Sequence, residues 1–106
     1  MTPEFPQENL QAAANGLRAI AHPLRLAILC HLTEGPKNVG ELLALTHVSQ
    51  PNLSQHLAKL RMLGVLNSER RSQHIFYCLA DNGFVRIVEA LKTVYCKTPE
   101  SEAGKS

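Results

Sequence analysis

The sequence predicts a mainly α-helical domain of five helices, with one small two-stranded β hairpin between the fourth helix and the fifth. Three observations predict this fold. Aliphatic residues recur at helical spacing along most of the chain. Aromatic residues make up only 5% of it, so packed helices with an aliphatic core are favoured. A single β-prone stretch, "HIFYCL", interrupts the helical pattern.

At 106 residues the chain is expected to form one domain. We expect residues 1–7 to be a flexible arm, residues 8–97 the folded domain and residues 98–106 a disordered polar tail. No run approaches the roughly 20 apolar residues of a membrane span, and the N-terminus lacks the order of a signal peptide. We therefore expect a cytoplasmic protein without a membrane partner or a cofactor. Its three cysteines argue against a structural disulfide framework.

The first two helices are predicted from apolar content and from proline. The first spans about residues 8–21, a stretch rich in Ala and Leu. The second begins at His22 and Pro23, because proline is well tolerated in a first helical turn. Its "LRLAILCHL" is apolar on nearly every side, which is typical of a central buried helix. Gly35 and Pro36 end it.

The third and fourth helices are predicted from their caps. Asn38 precedes Glu41 by three residues, which is a capping-box spacing. A tight turn follows at residues 46–48. Ser49 is then a natural N-cap for the fourth helix, Pro51 lies within its first turn, and Gly64 ends it. Two short helices joined by a tight turn form a helix-turn-helix pattern.

The hairpin and the fifth helix follow. "VLNSE" and "HIFYCL" are the predicted strands, with "RRSQ" at the tip between them. From Asp81 onward apolar residues return to helical spacing and form one stripe at the end of the chain, where a second copy of the chain is the expected cover. The dimer interface is predicted at Leu17, Phe84, Ile87, Leu91 and Val94.

The fourth helix opens with amides and hydroxyls, where an ordinary surface helix carries mainly Glu and Lys. Base edges in the major groove offer donors and acceptors that such side chains match, while Arg and Lys neutralise phosphates. Residues 49–79 are also the basic segment, because Glu69 is their single acidic residue. The predicted base-reading residues are Ser49, Gln50, Asn52, Ser54, Gln55 and His56. The predicted phosphate contacts are Lys59, Arg61, Arg70 and Arg71, with Gln73 beside them at the hairpin tip.

Other interpretations of this helix remain open. It could be a solvated surface helix whose Ser and Asn residues only cap, and Ser49 could cap and contact a base through different atoms. A module of this shape could also bind protein instead of DNA. An enzyme that uses a Cys/His pair is disfavoured, because the sequence contains no nucleophile elbow, Gly-rich phosphate loop or paired-carboxylate site.

The stretches "AHPLRLAIL", "VGELLALTHVSQPNLSQHLAKLRMLGVL" and "RRSQHIFYCL" resemble the ArsR/SmtB family of bacterial winged-helix repressors, over about residues 15–97. The resemblance implies a winged helix-turn-helix homodimer, built through its first and last helices, that binds an inverted repeat in double-stranded DNA. It also implies an inducer that lowers the affinity for DNA.

Two inducer sites of the family are missing from this sequence. Arsenic- and cadmium-type members carry "ELCVCDL" in the third helix, whereas this chain has leucines at both cysteine places, Leu43 and Leu45. Zinc-type members carry paired Asp/His and His/Glu ligands in the last helix, whereas here that helix has Asp81 and Glu89 but no histidine. We therefore predict no metal site.

The cysteines carry the remaining hypothesis. Cys30 and Cys96 match the two positions that pair in the persulfide-responsive SqrR/BigR and HlyU type of the family, and this resemblance implies a dithiol that reactive sulfur converts to a disulfide or polysulfide. Alternatives stay open: the cysteines could be small buried hydrophobes, a peroxide-responsive pair, or, with or without Cys78, ligands for As(III) or another soft metal. We interpret Cys78 as a packing residue.

Overall fold

The computed structural model describes residues 5–80 and 83–95. Within these ranges the chain forms five helices and three strands: α1 (Gln7–Ile20), α2 (Pro23–Leu32), β1 (Lys37–Asn38), α3 (Val39–Thr46), α4 (Gln50–Met62), β2 (Leu66–Arg71), β3 (His74–Leu79) and α5 (Phe84–Tyr95). The predicted fold, with a hairpin between the fourth and fifth helices, is confirmed. Gln7, which was expected in the flexible arm, is instead the first residue of α1. The predicted tail at 98–106 lies outside the described residues.

Helix α2 lies at the centre of the core, as its sequence predicts. Ile28 and Leu29 are completely buried, and α2 contacts α3, α4, α5 and β3. Helices α3, α4 and α5 pack against it, and α1 adds Ile20. The core is a cluster of aliphatic side chains: Ile20, Leu24, Ile28, Leu29, Leu32, Leu42, Leu53, Leu57, Leu60, Val65, Leu66 and Val88. None of the described helices is long and apolar enough to span a membrane.

The predicted caps are present at the starts of α3 and α4, the two helices of the helix-turn-helix. Asn38 Oδ1 accepts a hydrogen bond from the Glu41 N–H, and Glu41 Oε1 accepts one from the Asn38 N–H, both at 2.9 Å. Ser49 Oγ accepts from the Asn52 N–H at 3.3 Å and caps α4. Gly64 follows the end of α4 with a φ of +79°. Between α3 and α4, His47 takes a left-handed φ of 58°, which no sequence signal predicted.

Strands β2 and β3 form the predicted antiparallel hairpin, from Leu66 opposite Leu79 to Arg71 opposite His74. The sheet has one strand more than predicted, because β1 pairs with the free edge of β3 and gives the order β1-β3-β2. A two-residue strand has no periodicity to detect. It arises because Asn38, the N-cap of α3, has extended backbone angles.

The sheet has two distinct faces. Tyr77 and Leu79 of β3 pack against the core. Since successive side chains of a strand point to opposite faces, Phe76 and Cys78 lie on the other face, where Cys78 is opposite Asn67 and Phe76 is opposite Glu69. The hairpin therefore has one face toward the helices and one face of mixed polarity.

Candidate nucleic-acid interface

Helix α4 has a buried aliphatic face and an exposed polar face. Leu53, Leu57 and Leu60 are at most 1% exposed and fix the helix on the core. The opposite side begins with exposed amides and hydroxyls and carries no acidic residue in its first turn. The exposed members of the predicted base-reading set are Ser49, Gln50, Asn52, Ser54 and Gln55.

His56 differs from the rest of that set. It is half-buried, and its Nδ1 accepts a hydrogen bond from Arg25 Nε at 3.1 Å. Its ring centroid lies 4.5 Å from that of His22. Partial burial, followed by the neighbouring charges of His22 and Arg25, lowers the pKa of His56 below its ordinary value. One of its ring nitrogens therefore binds Arg25 of α2 and is not available to DNA.

The predicted phosphate contacts flank the exposed start of α4. Lys59 and Arg61 are exposed in its last turns. At the hairpin tip, Arg70, Arg71 and Gln73 are also exposed. Arg71 already has neighbours within the hairpin: its Nε lies 3.5 Å from Glu69 Oε1, and its guanidinium lies 5.0 Å from the Phe76 ring centroid. Such an exposed ion pair is weak, so it leaves the Arg71 charge available.

A polar helix start beside a basic hairpin tip suits double-helical DNA. The major groove admits an α-helix, and amide side chains match the donors and acceptors of base edges there. Arginine and lysine beside the helix can meet phosphates, which position a protein without reading sequence. The order α3, tight turn, α4 and hairpin is that of a winged helix-turn-helix.

Comparisons with known proteins agree with this geometry. The family model described as bacterial regulatory protein, arsR family, matches residues 22–68. The biofilm growth-associated repressor of Xylella fastidiosa is 39% identical over 103 residues, which cover 97% of this chain and 90% of that protein. The chain belongs to the ArsR family.

Solved structures of the family have the same fold. HlyU from Vibrio cholerae superposes with a TM-score of 0.82 at 38% identity, over 87% of this chain and all (100%) of that one. The transcriptional repressor BigR from Xylella fastidiosa gives 0.79 at 38% identity, over 85% of this chain and 89% of that one. This ArsR-family chain is therefore a DNA-binding transcriptional repressor of the BigR/HlyU subset, not an enzyme.

Helices α1 and α5 of this chain leave apolar side chains uncovered. Leu17 of α1 is 51% exposed and Val94 of α5 is 60% exposed. Ile87 of α5 is exposed as well. Leu91 is half-buried. Phe84 differs from the other predicted interface residues, because its ring packs against the core of its own chain. A Cβ at Gly16 of α1 would come within 3.1 Å of that ring, so the glycine permits the close approach.

The sensor candidate Cys30 is half-buried near the end of α2. It lines a cavity of about 600 Å³ together with residues of α2, the following loop and α5: Pro23, Leu26, Ala27, His31, Glu34 and Lys92. Lys92 Nζ donates a hydrogen bond to Thr33 Oγ1 at 2.8 Å, and Thr33 Oγ1 donates to the Cys30 carbonyl at 2.6 Å. Cys96 lies outside the described residues.

Within residues 5–80 and 83–95, no three His, Cys, Asp or Glu side chains are grouped so that they could hold a metal ion. Cys78 and Tyr77 lie on opposite faces of the sheet, so Cys78 is directed away from the core. Cys30, in contrast, packs against that core.

Sequence reasoning missed Arg25, Thr33 and Lys92. Their partners are distant in sequence: Arg25 and His56 are 31 residues apart, and Thr33 and Lys92 are 59 apart. No periodicity marks such a pair. The position of Arg25 in a largely apolar helix was the one available signal, because a buried or half-buried arginine needs a partner.

Proposed function

We propose that this repressor acts as a homodimer on an inverted-repeat operator, and that reaction of a Cys30/Cys96 dithiol with reactive sulfur species lowers its affinity for that operator. The observation that carries the sensor proposal is the location of Cys30. It lies on a cavity between α2 and α5, at the place where Lys92 and Thr33 join the two helices.

DNA recognition is assigned to two groups of residues. Gln50, Asn52, Ser54 and Gln55 read base edges, supported by their exposure on α4. Lys59, Arg61, Arg70 and Arg71, with Gln73, contact the phosphate backbone, supported by their exposure around that helix. Ser49 caps α4 through its Oγ, which leaves its second acceptor lone pair for DNA.

The contact between α2 and α5 supports the pairing of the two thiols. Lys92 lies in the last turn of α5 and reaches the residue that ends α2. This brings the C-terminal end of α5 to the end of α2 that carries Cys30. Cys96 follows Tyr95, the last described residue of α5, directly in the sequence.

The chemistry is a thiol exchange with an organic persulfide, RSSH. The Cys30 thiolate attacks the outer sulfur and releases RSH, which leaves a persulfide on Cys30. The Cys96 thiolate then attacks the inner sulfur of that persulfide and releases H₂S, which forms the disulfide. The two thiols lose two electrons, and the transferred sulfur gains them. If the Cys30 persulfide first takes the outer sulfur of a second RSSH and releases RSH, attack by Cys96 with loss of H₂S leaves a trisulfide bridge instead.

A bridge between α2 and α5 can change DNA affinity because the two helices belong to different parts of the protein. Helix α2 packs against α3 and α4, and α5 carries exposed apolar side chains of the proposed dimer face. An effector shifts an equilibrium through its different free energy in the two states. The bridge supplies that difference because it is compatible with one arrangement of α2 and α5.

The relatives support the proposal in two ways. The structural neighbours include BigR and HlyU, which belong to the same subset as this chain. HlyU from Vibrio cholerae has also been solved in a form named as reduced, with a TM-score of 0.82 to this chain. The redox state of HlyU was therefore specified for that solved structure.

The test exposes the protein to an organic persulfide, to peroxide and to As(III) in turn, and follows each by intact-mass spectrometry and by binding to a duplex that the wild-type protein selects from a random library. We expect persulfide to link Cys30 and Cys96 within one subunit and to release the duplex. Cys30→Ser and Cys96→Ser should bind the duplex and no longer release it, whereas Cys78→Ser, the matched control, should behave as wild type. Persulfide-driven release that survives in Cys96→Ser would contradict the dithiol, and release by As(III) at low concentration with weak action of persulfide would favour the soft-metal alternative.

A further inference from the structure

The start of α2 is joined to α4 by a side-chain contact that the proposed DNA contacts do not use. Arg25 Nε donates a hydrogen bond to His56 Nδ1 of α4 at 3.1 Å. Arg25 Nη1 donates to the Ala19 carbonyl oxygen at 2.7 Å, near the end of α1. One guanidinium of α2 therefore links α1 to α4.

The His22 ring also packs against His56. Its Nδ1 accepts a hydrogen bond from the Leu24 N–H at 3.1 Å and caps α2. Its ring centroid lies 4.5 Å from that of His56, with 43° between the ring planes. The cap fixes the His22 ring on α2, so His56 packs against a rigid neighbour.

We propose that Arg25 is a positioning residue for DNA recognition, and that it sets the rotation of α4 relative to α1 and α2 by holding His56. The inference rests on the DNA-binding function of the family and does not involve the cysteines. It gives His56 a structural part in place of the base contact expected from its sequence position.

The physical reason lies in the rest of the α4 packing. Leu53, Leu57 and Leu60 hold the helix through apolar contacts, which are non-directional and resist separation more than rotation. A hydrogen bond requires both distance and angle, so the Arg25 contact can fix the rotation. Gln55 precedes His56 directly and is exposed. A rotated α4 would therefore move Gln55 relative to the base edges.

The contact requires a neutral His56, because Arg Nε–H can only donate and Nδ1 must keep its lone pair. Partial burial, and then the charges of His22 and Arg25, lower the pKa of His56. Both ionisable groups that act on His56 belong to the start of α2; among the described residues, none from α1, α3 or the hairpin contributes to this shift.

A pH dependence of known sign follows. Because the pKa of His56 is lowered by folding, the unfolded chain binds this proton more tightly than the folded chain does. The contribution of neutral His56 to folding stability is therefore fully present above the ordinary pKa of about 6.5. It is lost as the pH falls through the lower pKa of the folded state. Protonation removes the acceptor of Arg25 over the same range. Sequence-specific binding should therefore weaken in acid, although added positive charge strengthens non-specific binding.

The first experiment compares Arg25→Lys with wild type on two probes at pH 7.5: a duplex that wild type selects from a random library, and a scrambled duplex of equal length. Lysine keeps the charge and loses the Nε donor with its planar geometry. We expect affinity for the selected duplex to fall by about tenfold, as for a lost charge-assisted hydrogen bond. Affinity for the scrambled duplex and its salt dependence should stay unchanged, which a general loss of fold would not produce.

The second experiment uses His56→Asn, whose Oδ1 can take the place of Nδ1 as acceptor but does not titrate. This variant should bind the selected duplex as wild type does at pH 7.5 and should lose the decline below about pH 6.5. His56→Ala should resemble Arg25→Lys, and the two changes together should cost no more than either alone.

Each of four results would overturn the proposal. Arg25→Lys could keep full affinity for the selected duplex, or lose affinity equally for both probes. His56→Asn could keep the acid decline of wild type. His56→Ala could weaken binding while Arg25→Lys does not, in which case His56 contacts DNA itself. If Arg25→Lys fails to fold, the pH profile of His56→Asn decides.

Discussion

The helix-turn-helix and the α1/α5 pair of this repressor differ in how completely one chain buries their apolar side chains. Helix α4 buries three leucines to 1% exposure or less. Helix α5 buries Val88 alone among its described residues and leaves Val94 60% exposed, while α1 leaves Leu17 51% exposed. The part that reads DNA is therefore complete within one chain, whereas the α1/α5 layer has an apolar surface that a second copy would cover.

The proposed thiol response depends on this difference between the two regions. Rigid placement of α4 follows from its leucines and from its contact with Arg25. The α1/α5 layer is held to the core by fewer buried residues, and Lys92 connects it to the region of Cys30. In the proposed mechanism, a change at the thiols moves this layer at less cost than it would move α4.

The largest expected effect of a single change is in the core of the helix-turn-helix. Leu57→Ala should lower the free energy of unfolding by about 2–5 kcal/mol, because it removes a fully buried side chain and leaves a cavity. Met62→Ala is the matched control on the same helix, since Met62 is 71% exposed, and it should change stability by less than about 0.5 kcal/mol. Urea denaturation measures both, and equal losses would contradict the core described for α4.

Val94→Asp tests the α1/α5 layer. An unpaired charge in a two-fold symmetric interface is buried twice, so the dimer should lose at least about 2 kcal/mol, or roughly 30-fold in its dissociation constant. The helical content should stay unchanged, because Val94 is exposed in the single chain. The control Thr93→Asp adds the same charge at an exposed neighbouring position. Sedimentation equilibrium measures the dissociation constant of the dimer for both variants. An equal increase for the two changes would show that Val94 does not lie in the dimer interface.

Gln55→Ala should change sequence preference without affecting either the fold or the dimer. Loss of a base contact costs about 1–3 kcal/mol at the base pair concerned. Lys59→Ala should instead weaken binding to all sequences alike and reduce the salt dependence by about one charge. Competition between duplexes with single base changes measures both variants. A uniform loss for Gln55→Ala would show that it does not read a base.

The smallest effect is expected at the hairpin. Arg71→Ala should weaken all duplexes by less than about 1 kcal/mol, because Arg71 is exposed and solvent and salt screen its contact with a phosphate. Glu69→Gln should strengthen binding slightly, because it removes a negative charge beside the DNA backbone. Titrations at several salt concentrations test this, and an Arg71→Ala protein with unchanged affinity and salt slope would show that this arginine does not contact the backbone.

The sequence predicted those features that depend on neighbouring residues. The capping box of Asn38 and Glu41 and the Ser49 cap are local hydrogen bonds, and the buried helix α2 follows from its apolar composition. Strand β1 was not predicted, because its two residues become a strand only through pairing with β3. The orientation of His56 was not predicted either, because it depends on Arg25, a partner distant in sequence.

Sedimentation velocity of the wild-type protein at micromolar concentration, alone and with the selected duplex, shows how many chains act together. We expect a dimer in the absence of DNA and two chains on each duplex, because the core of α4 is complete in one chain and the α1/α5 surface is not covered. A monomer with full helical content by circular dichroism, binding as one chain per duplex, would contradict it.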